Sequence, residues 1–194
     1  MVTHLPSPIL VIGYGNTLRS DDGVGPAVVQ AISQWQNSQL QTLICHQLTP
    51  ELADTIAGAG LVIFVDALDC NALKMSFPKT QLRSLDLGMR PPTPASATVA
   101  AENPEIPSLL GHFYQPESLL HMTKWLYGHV PPAWLIAVPA VSFELGCEFS
   151  EIAIQGMQRA LVVIQTLIDE LQGMTTNFPS LHLPSESLKL PVRI

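Results

Sequence analysis

Short apolar runs alternate along the chain with stretches of helical periodicity. Pro8 to Gly13, PILVIG, is continuously apolar and stops at glycine, which suits a strand covered on both faces. Helical spacing follows. Val28, Val29, Ile32 and Trp35 recur at intervals of three and four, and Pro26 stands at a favourable first helical position after Gly25. Leu40 to Gln47 reads as a second strand, and Thr49-Pro50-Glu51 opens a short helix through Ala57, with threonine as N-cap and proline at the first turn. Leu61 to Asp66, LVIFVD, is the third and most apolar strand. Lys74 to Phe77 is a candidate fourth, Glu117 to Tyr127 reads as a helix, and Trp134 to Val138 is a fifth strand. The last helix is capped by Ser150 and runs to about Leu171.

Strands alternating with helices imply βαβ units and a mainly parallel sheet. The expected architecture is therefore α/β, a three-layer α/β/α sandwich on a sheet of about five strands. Two segments break the rhythm. Pro78 to Pro116 holds seven of the 17 prolines and is far longer than the usual link of about 2–6 residues, so it is expected to be a long loop. Gly173 to Ile194, with Pro179, Pro184 and Pro191, reads as a tail. The expected organisation is one domain over residues 1–172 followed by a tail over 173–194.

Composition narrows the function. Of 194 residues, 47% are apolar and 13% charged, about half the charged share usual in a soluble domain, so the chain is too hydrophobic to be disordered. The net charge of −7 and the lack of a basic cluster argue against nucleic acid, whose phosphates demand lysine and arginine. The longest apolar stretch, Ala57 to Val65, falls far short of the roughly 20 residues of a membrane-spanning helix. No cationic leader precedes the first apolar run, and the expected location is the cytoplasm. Cys45, Cys70 and Cys147 are odd in number and widely spaced; they read as small buried hydrophobes rather than a disulfide framework or zinc site.

The densest chemical signal is the stretch from Gly13 to Gly25, GYGNTLRSDDGVG, directly after the first strand. It is not a dinucleotide fingerprint, because Leu18 stands where the third glycine is needed and Asp21 and Asp22 would repel a pyrophosphate. No GK[ST] follows, which removes a P-loop. Each aspartate alone could serve a helix N-terminus, but two adjacent acids among glycines also suit a cation or a polar substrate. Asp66 ends a buried strand, and in a doubly wound sheet the carboxyl ends of strands form the ligand crevice, so Asp22 and Asp66 are expected to converge. The competing use of Asp66 is to cap the next turn, and Asp69 is its rival. Among six histidines, His112 is set apart by its place before the Glu117 helix; His4, His46, His121, His129 and His182 read as incidental. Two aspartates and a histidine suit a borderline divalent ion such as Zn²⁺ or Ni²⁺, with positions open for substrate. No HExxH helix or GxSxG elbow offers another template.

Four segments in order, ILVIGYGNTLRSDDGVGP, QLTPELADTIAGAGLVIFVDA, GHFYQPESLLHMTKWLYG and PAVSFELGCEFS, resemble the successive motifs of the nickel-iron hydrogenase maturation endopeptidases. The resemblance spans most of Ile9 to about Leu171, outside the Pro78 to Leu110 insert. It implies a protease that removes a C-terminal extension from the hydrogenase large-subunit precursor once nickel has been inserted. The family's three metal-associated residues fall on Asp22, Asp66 and His112, which are then both the catalytic and the nickel-binding set, with nickel carried by the substrate. His112 follows an insert that the family pattern lacks. QLTPELA is most similar to the branch acting on bidirectional, NAD-coupled hydrogenases. Asp21 and Asn16 are expected to support the loop rather than ligate. Two routes to hydrolysis fit these donors, a metal polarising the carbonyl or a carboxylate activating water. The alternative is a non-enzymatic nickel-binding assembly chaperone that uses the same donors without shortening the precursor.

Overall fold

A computed structural model of the chain describes residues 8–76, 78–85 and 115–173. Five strands form one sheet: β1 (Ile9–Tyr14), β2 (Leu40–Cys45), β3 (Leu61–Asp69), β4 (Gln81–Ser84) and β5 (Ala133–Ala140). The helices are α1 (Val24–Ile32), α2 (Leu52–Ala57), α3 (Pro116–Tyr127) and α4 (Glu151–Gly173), and a 3-10 turn, Ser20–Gly23, precedes α1. The sheet order is β2-β1-β3-β5-β4. All neighbours are parallel except β4, which lies antiparallel to β5.

Alternation along the strands builds two cores. Ile9 and Val11 of β1, Ile63 and Val65 of β3, and Ile136 and Val138 of β5 pack with Val28, Val29 and Ile32 of α1 and with Ala160, Ile164 and Ile168 of α4. Leu10, Ile12 and Tyr14 of β1 and Val62 and Phe64 of β3 point the other way, onto Ala53 and Ile56 of α2 and Leu119 and Leu120 of α3. The expected three layers are therefore present, with α1 and α4 on one face and α2 and α3 on the other. His129 ties the second pair together, its ring nitrogens 3.1 Å from the Tyr127 carbonyl and 3.0 Å from the Ala57 carbonyl.

The fourth strand is not Lys74 to Phe77. Lys74 to Ser76 belong to a turn in which the Leu73, Lys74 and Met75 amides bond back to Asp69, Asn71 and Cys70, and Lys74 has φ +50°. Phe77 lies outside the described residues. The fourth strand is Gln81–Ser84, inside the segment expected to be a loop; the remainder of that segment, 86–114, and the tail beyond 173 lie outside the described residues. Boundaries moved elsewhere too. β3 continues three residues past Asp66, because its ladder with β5 runs on to Asp69 opposite Ala140. Among the cysteines only Cys70 is buried; Cys45 is partly covered and Cys147 is exposed.

Because β1 pairs with β2 on one side and β3 on the other, the chain reverses direction across the sheet at β1. The α1 and α2 connections leave on opposite faces. A crevice opens at such a switch point, beyond the carboxyl ends of β1 and β3.

Candidate functional site

The switch point holds a cleft of about 250 Å³ whose lining includes Tyr14, Asn16, Arg19, Asp22, His46 and Asp66. The loop after β1 is folded tightly enough to deliver Asp22 to it. Gly15 adopts φ +137°, a conformation that side chains rarely take, and a Cβ there would stand 2.0 Å from the Asp22 carbonyl oxygen. Asn16 donates its backbone N–H to Asp22 Oδ2 at 3.1 Å, while its own side-chain oxygen accepts the Leu18 N–H at 2.9 Å. Gly25, at the start of α1, lies against the Tyr14 and Val65 carbonyls, each 2.5 Å from where its Cβ would be. The helix start is thus pressed between the ends of β1 and β3, which is why a side chain is excluded there.

The two adjacent aspartates have different tasks. Asp21 is fully buried. Its carboxylate accepts the N–H of Val141 at 2.9 Å, of Ser142 at 3.0 Å and of Ser150 at 2.7 Å, and the Ser150 hydroxyl at 2.7 Å. Ser150 Oγ in turn accepts the Ala153 N–H at 3.2 Å, the expected cap of α4. Burial alone would raise the Asp21 pKa, but these hydrogen bonds outweigh it and hold the group below the ordinary carboxylate range. Asp21 is a tether between the loop after β1 and the segment linking β5 to α4. Asp22 is the member that faces the cleft.

Asp66 lies on β3 on the same face as Phe64, level with the end of β1. Burial pushes its pKa up to about 6, and the Asp22 charge adds to the rise; hydrogen bonds from the Tyr14 hydroxyl and the Ala67 N–H, the latter at 2.8 Å, act against it. Tyr14 is held protonated far above its usual range by its own burial and by the Asp66 charge, so it remains a donor. Asp69, the rival of Asp66, is spent on its turn, where Oδ1 accepts the Asn71 and Ala72 amides, each at 2.9 Å. Two electrostatically coupled carboxylates in one cleft, one of them titrating near neutrality, can take and return a proton during a hydrolytic reaction.

Among the described residues no three His, Cys, Asp or Glu side chains are close enough to hold a metal ion. Asp22 and Asp66 come together as expected, whereas His112 lies outside the described residues. Of the three ligands expected from the sequence, the described residues supply the two carboxylates, Asp22 and Asp66. Three cleft residues escaped the sequence reading. Tyr14 and Arg19 belong to the glycine-rich stretch and could have been singled out by their place in it. His46 had no such signal: β2 ends at Cys45, two residues earlier than the apolar pattern suggests, and the chain then turns His46 toward the cleft.

Solved structures share this arrangement of elements. The hydrogenase maturating endopeptidase HybD from E. coli superposes with a TM-score of 0.61 at 20% identity, over 84% of this chain and 93% of that one. The chain has the fold of the hydrogenase maturation endopeptidases. A hydrogenase 2 maturation peptidase from a Thaumarchaeota archaeon gives 0.56 at 21% identity, over 83% of this chain and 97% of its own. The NiFe hydrogenase maturation protease HycI from Thermococcus kodakarensis gives 0.58 at 19% identity, over 84% and 93%. No protein-family model and no curated protein matches the chain. No helix among the described residues is long and apolar enough to cross a membrane.

Proposed function

We propose that the protein is an endopeptidase that removes the C-terminal extension of a nickel-iron hydrogenase large-subunit precursor after nickel insertion. The observation that carries this reading is the meeting of Asp22 and Asp66 in one cleft at the β1/β3 switch point of a fold shared with hydrogenase maturation proteases. Nickel is cargo of the precursor in this reading. Asp22, Asp66 and His112 complete its coordination, which aligns the scissile bond with the cleft and makes loading a condition of cutting. Among the described residues, the hydrogen bond that Asp22 accepts uses Oδ2.

Hydrolysis needs a water molecule to lose a proton as it adds to the carbonyl and the departing amine to gain one. A carboxylate oxygen of the pair that is not bound to nickel can take the first proton and hand it on in the second transfer. The reaction belongs in the cytoplasm, where this reading places precursor assembly, and QLTPELA favours the large subunit of an NAD-coupled hydrogenase as partner. Incubation with nickel-loaded and nickel-free precursor, read by intact mass, is the test. Shortening of the loaded form alone is expected. Equal cleavage of both forms would remove the metal-recognition element, and binding without any loss of mass would favour the assembly chaperone.

A further inference from the structure

We propose that Arg19 is a catalytic residue of this reaction, its guanidinium receiving the negative charge that develops on the carbonyl oxygen of the bond being cut. The proposal rests on the endopeptidase reading. Its starting point is an electrostatic conflict within the cleft. When water attacks a peptide carbonyl, a new C–O bond forms, the water proton passes to a carboxylate, and the carbonyl π pair moves onto oxygen. Collapse of that adduct restores the carbonyl, breaks the C–N bond and returns the proton to the departing nitrogen. Asp22 and Asp66 suit the proton transfers, but any carboxylate charge in the cleft opposes the oxyanion. Among the described residues Arg19 is the only permanently cationic side chain lining it.

The guanidinium is held without being consumed. Nε donates to the Phe143 carbonyl at 3.3 Å, and the cation lies 5.9 Å above the centroid of the Phe143 ring. Nη1 is 4.0 Å from Asp22 Oδ2, an ion pair too long to be a hydrogen bond. The terminal nitrogens thus have no hydrogen-bond acceptor among the described residues. Arg83 provides the contrast, with Nη2 2.6 Å from Glu117 Oε1 in a committed pair. The backbone beneath Arg19 is pinned as well. Its N–H bonds the Asn16 carbonyl at 3.0 Å, the neighbouring Ser20 N–H bonds the Gly146 carbonyl at 2.9 Å, and the Gly146 N–H bonds the Leu18 carbonyl at 3.0 Å. A donor fixed before the charge appears is the kind that stabilises a transition state most effectively.

The test measures steady-state cleavage of nickel-loaded large-subunit precursor by the unmodified protein, Arg19→Gln, Arg19→Lys and Arg19→Ala, with urea midpoints for each. Arg19→Gln should lower kcat by about 100- to 1000-fold and change KM less than about threefold. Arg19→Lys should recover part of the loss, and added guanidinium ion should raise the rate of Arg19→Ala. The pH–rate profile should keep its shape. An unchanged kcat, a loss confined to KM, or a displaced acidic limb would overturn the proposal; the displaced limb would make Arg19 a positioning residue that acts through Asp22. If a variant's urea midpoint falls, guanidinium rescue of Arg19→Ala decides, and no rescue refutes. Failure of the unmodified protein to cut any precursor would instead overturn the endopeptidase reading, and this proposal with it.

Discussion

Replacing Asp66 by asparagine should make the protein more stable at neutral pH while ending its proposed activity. Burial and the neighbouring Asp22 charge raise the Asp66 pKa from 3.8 to about 6 in the folded chain. The fold therefore holds this proton more tightly than the unfolded chain does. Stability owed to the neutral carboxyl is fully present below about pH 3.8, declines as pH rises through about 6, and is absent above it. A rise of about two pKa units corresponds to roughly 3 kcal/mol. Asparagine keeps an oxygen for the Ala67 N–H and carries no charge, so it retains the local bond and removes the penalty. Urea unfolding of both proteins in chelator-treated buffer should show Asp66→Asn more stable by about 2–3 kcal/mol at pH 7.5 and by well under 1 kcal/mol at pH 4. Subtracting the two proteins at each pH cancels the titration of every group that does not interact with Asp66. A difference that is absent at pH 7.5, or equal at both pH values, would refute the reasoning.

Asp21→Ala should cost about 2–4 kcal/mol, since it leaves three half-buried N–H groups without their acceptor; a urea midpoint matching the unmodified protein would contradict this. Because the folded-state pKa of Asp21 is lowered, its contribution is present above about pH 3.8 and is lost as pH falls through the folded value, which acid unfolding followed by circular dichroism can detect in comparison with Asp21→Asn. Gly25→Ala should fail to give a folded protein or should fall in thermal midpoint, because the new methyl would meet the Tyr14 and Val65 carbonyls. Asp22→Ala and His112→Ala should each abolish precursor shortening, and intact-mass analysis after incubation would expose any residual cleavage.

The layers of the fold were legible because they follow from continuous apolar runs and helical spacing, which are local. Ile9–Tyr14, Leu61–Asp69 and Ala133–Ala140 announce themselves by composition, and the position of Asp66 follows from the rule for parallel sheets. Gln81–Ser84 did not. It is a four-residue edge strand, largely exposed and polar, and its identity comes from the Trp134 to Ala137 stretch it pairs with rather than from its own sequence. Lys74 to Phe77 misleads in the opposite sense, because Lys74 and Met75 are held in a turn whose start is fixed by the Asp69 carboxylate. The convergence of Asp22 and Asp66 could be anticipated. The role of Asp21 could be guessed only as support, since its partners are three backbone amides and the Ser150 hydroxyl, 120 to 129 residues away, and a serine that reads as a helix cap does not point to an aspartate.

That separation has a consequence for when the site comes into being. A ribosome that has released the chain only as far as β3 has already supplied Asp22 and Asp66, yet none of the groups that satisfy the Asp21 carboxylate has been made. The loop that aims Asp22 into the cleft has only its own local hydrogen bonds until Val141, Ser142 and Ser150 emerge and the start of α4 closes over it. A nascent chain therefore carries both cleft carboxylates without the means of holding them in place. The order of translation itself delays assembly of the centre until the last strand and the beginning of the last helix have been synthesised.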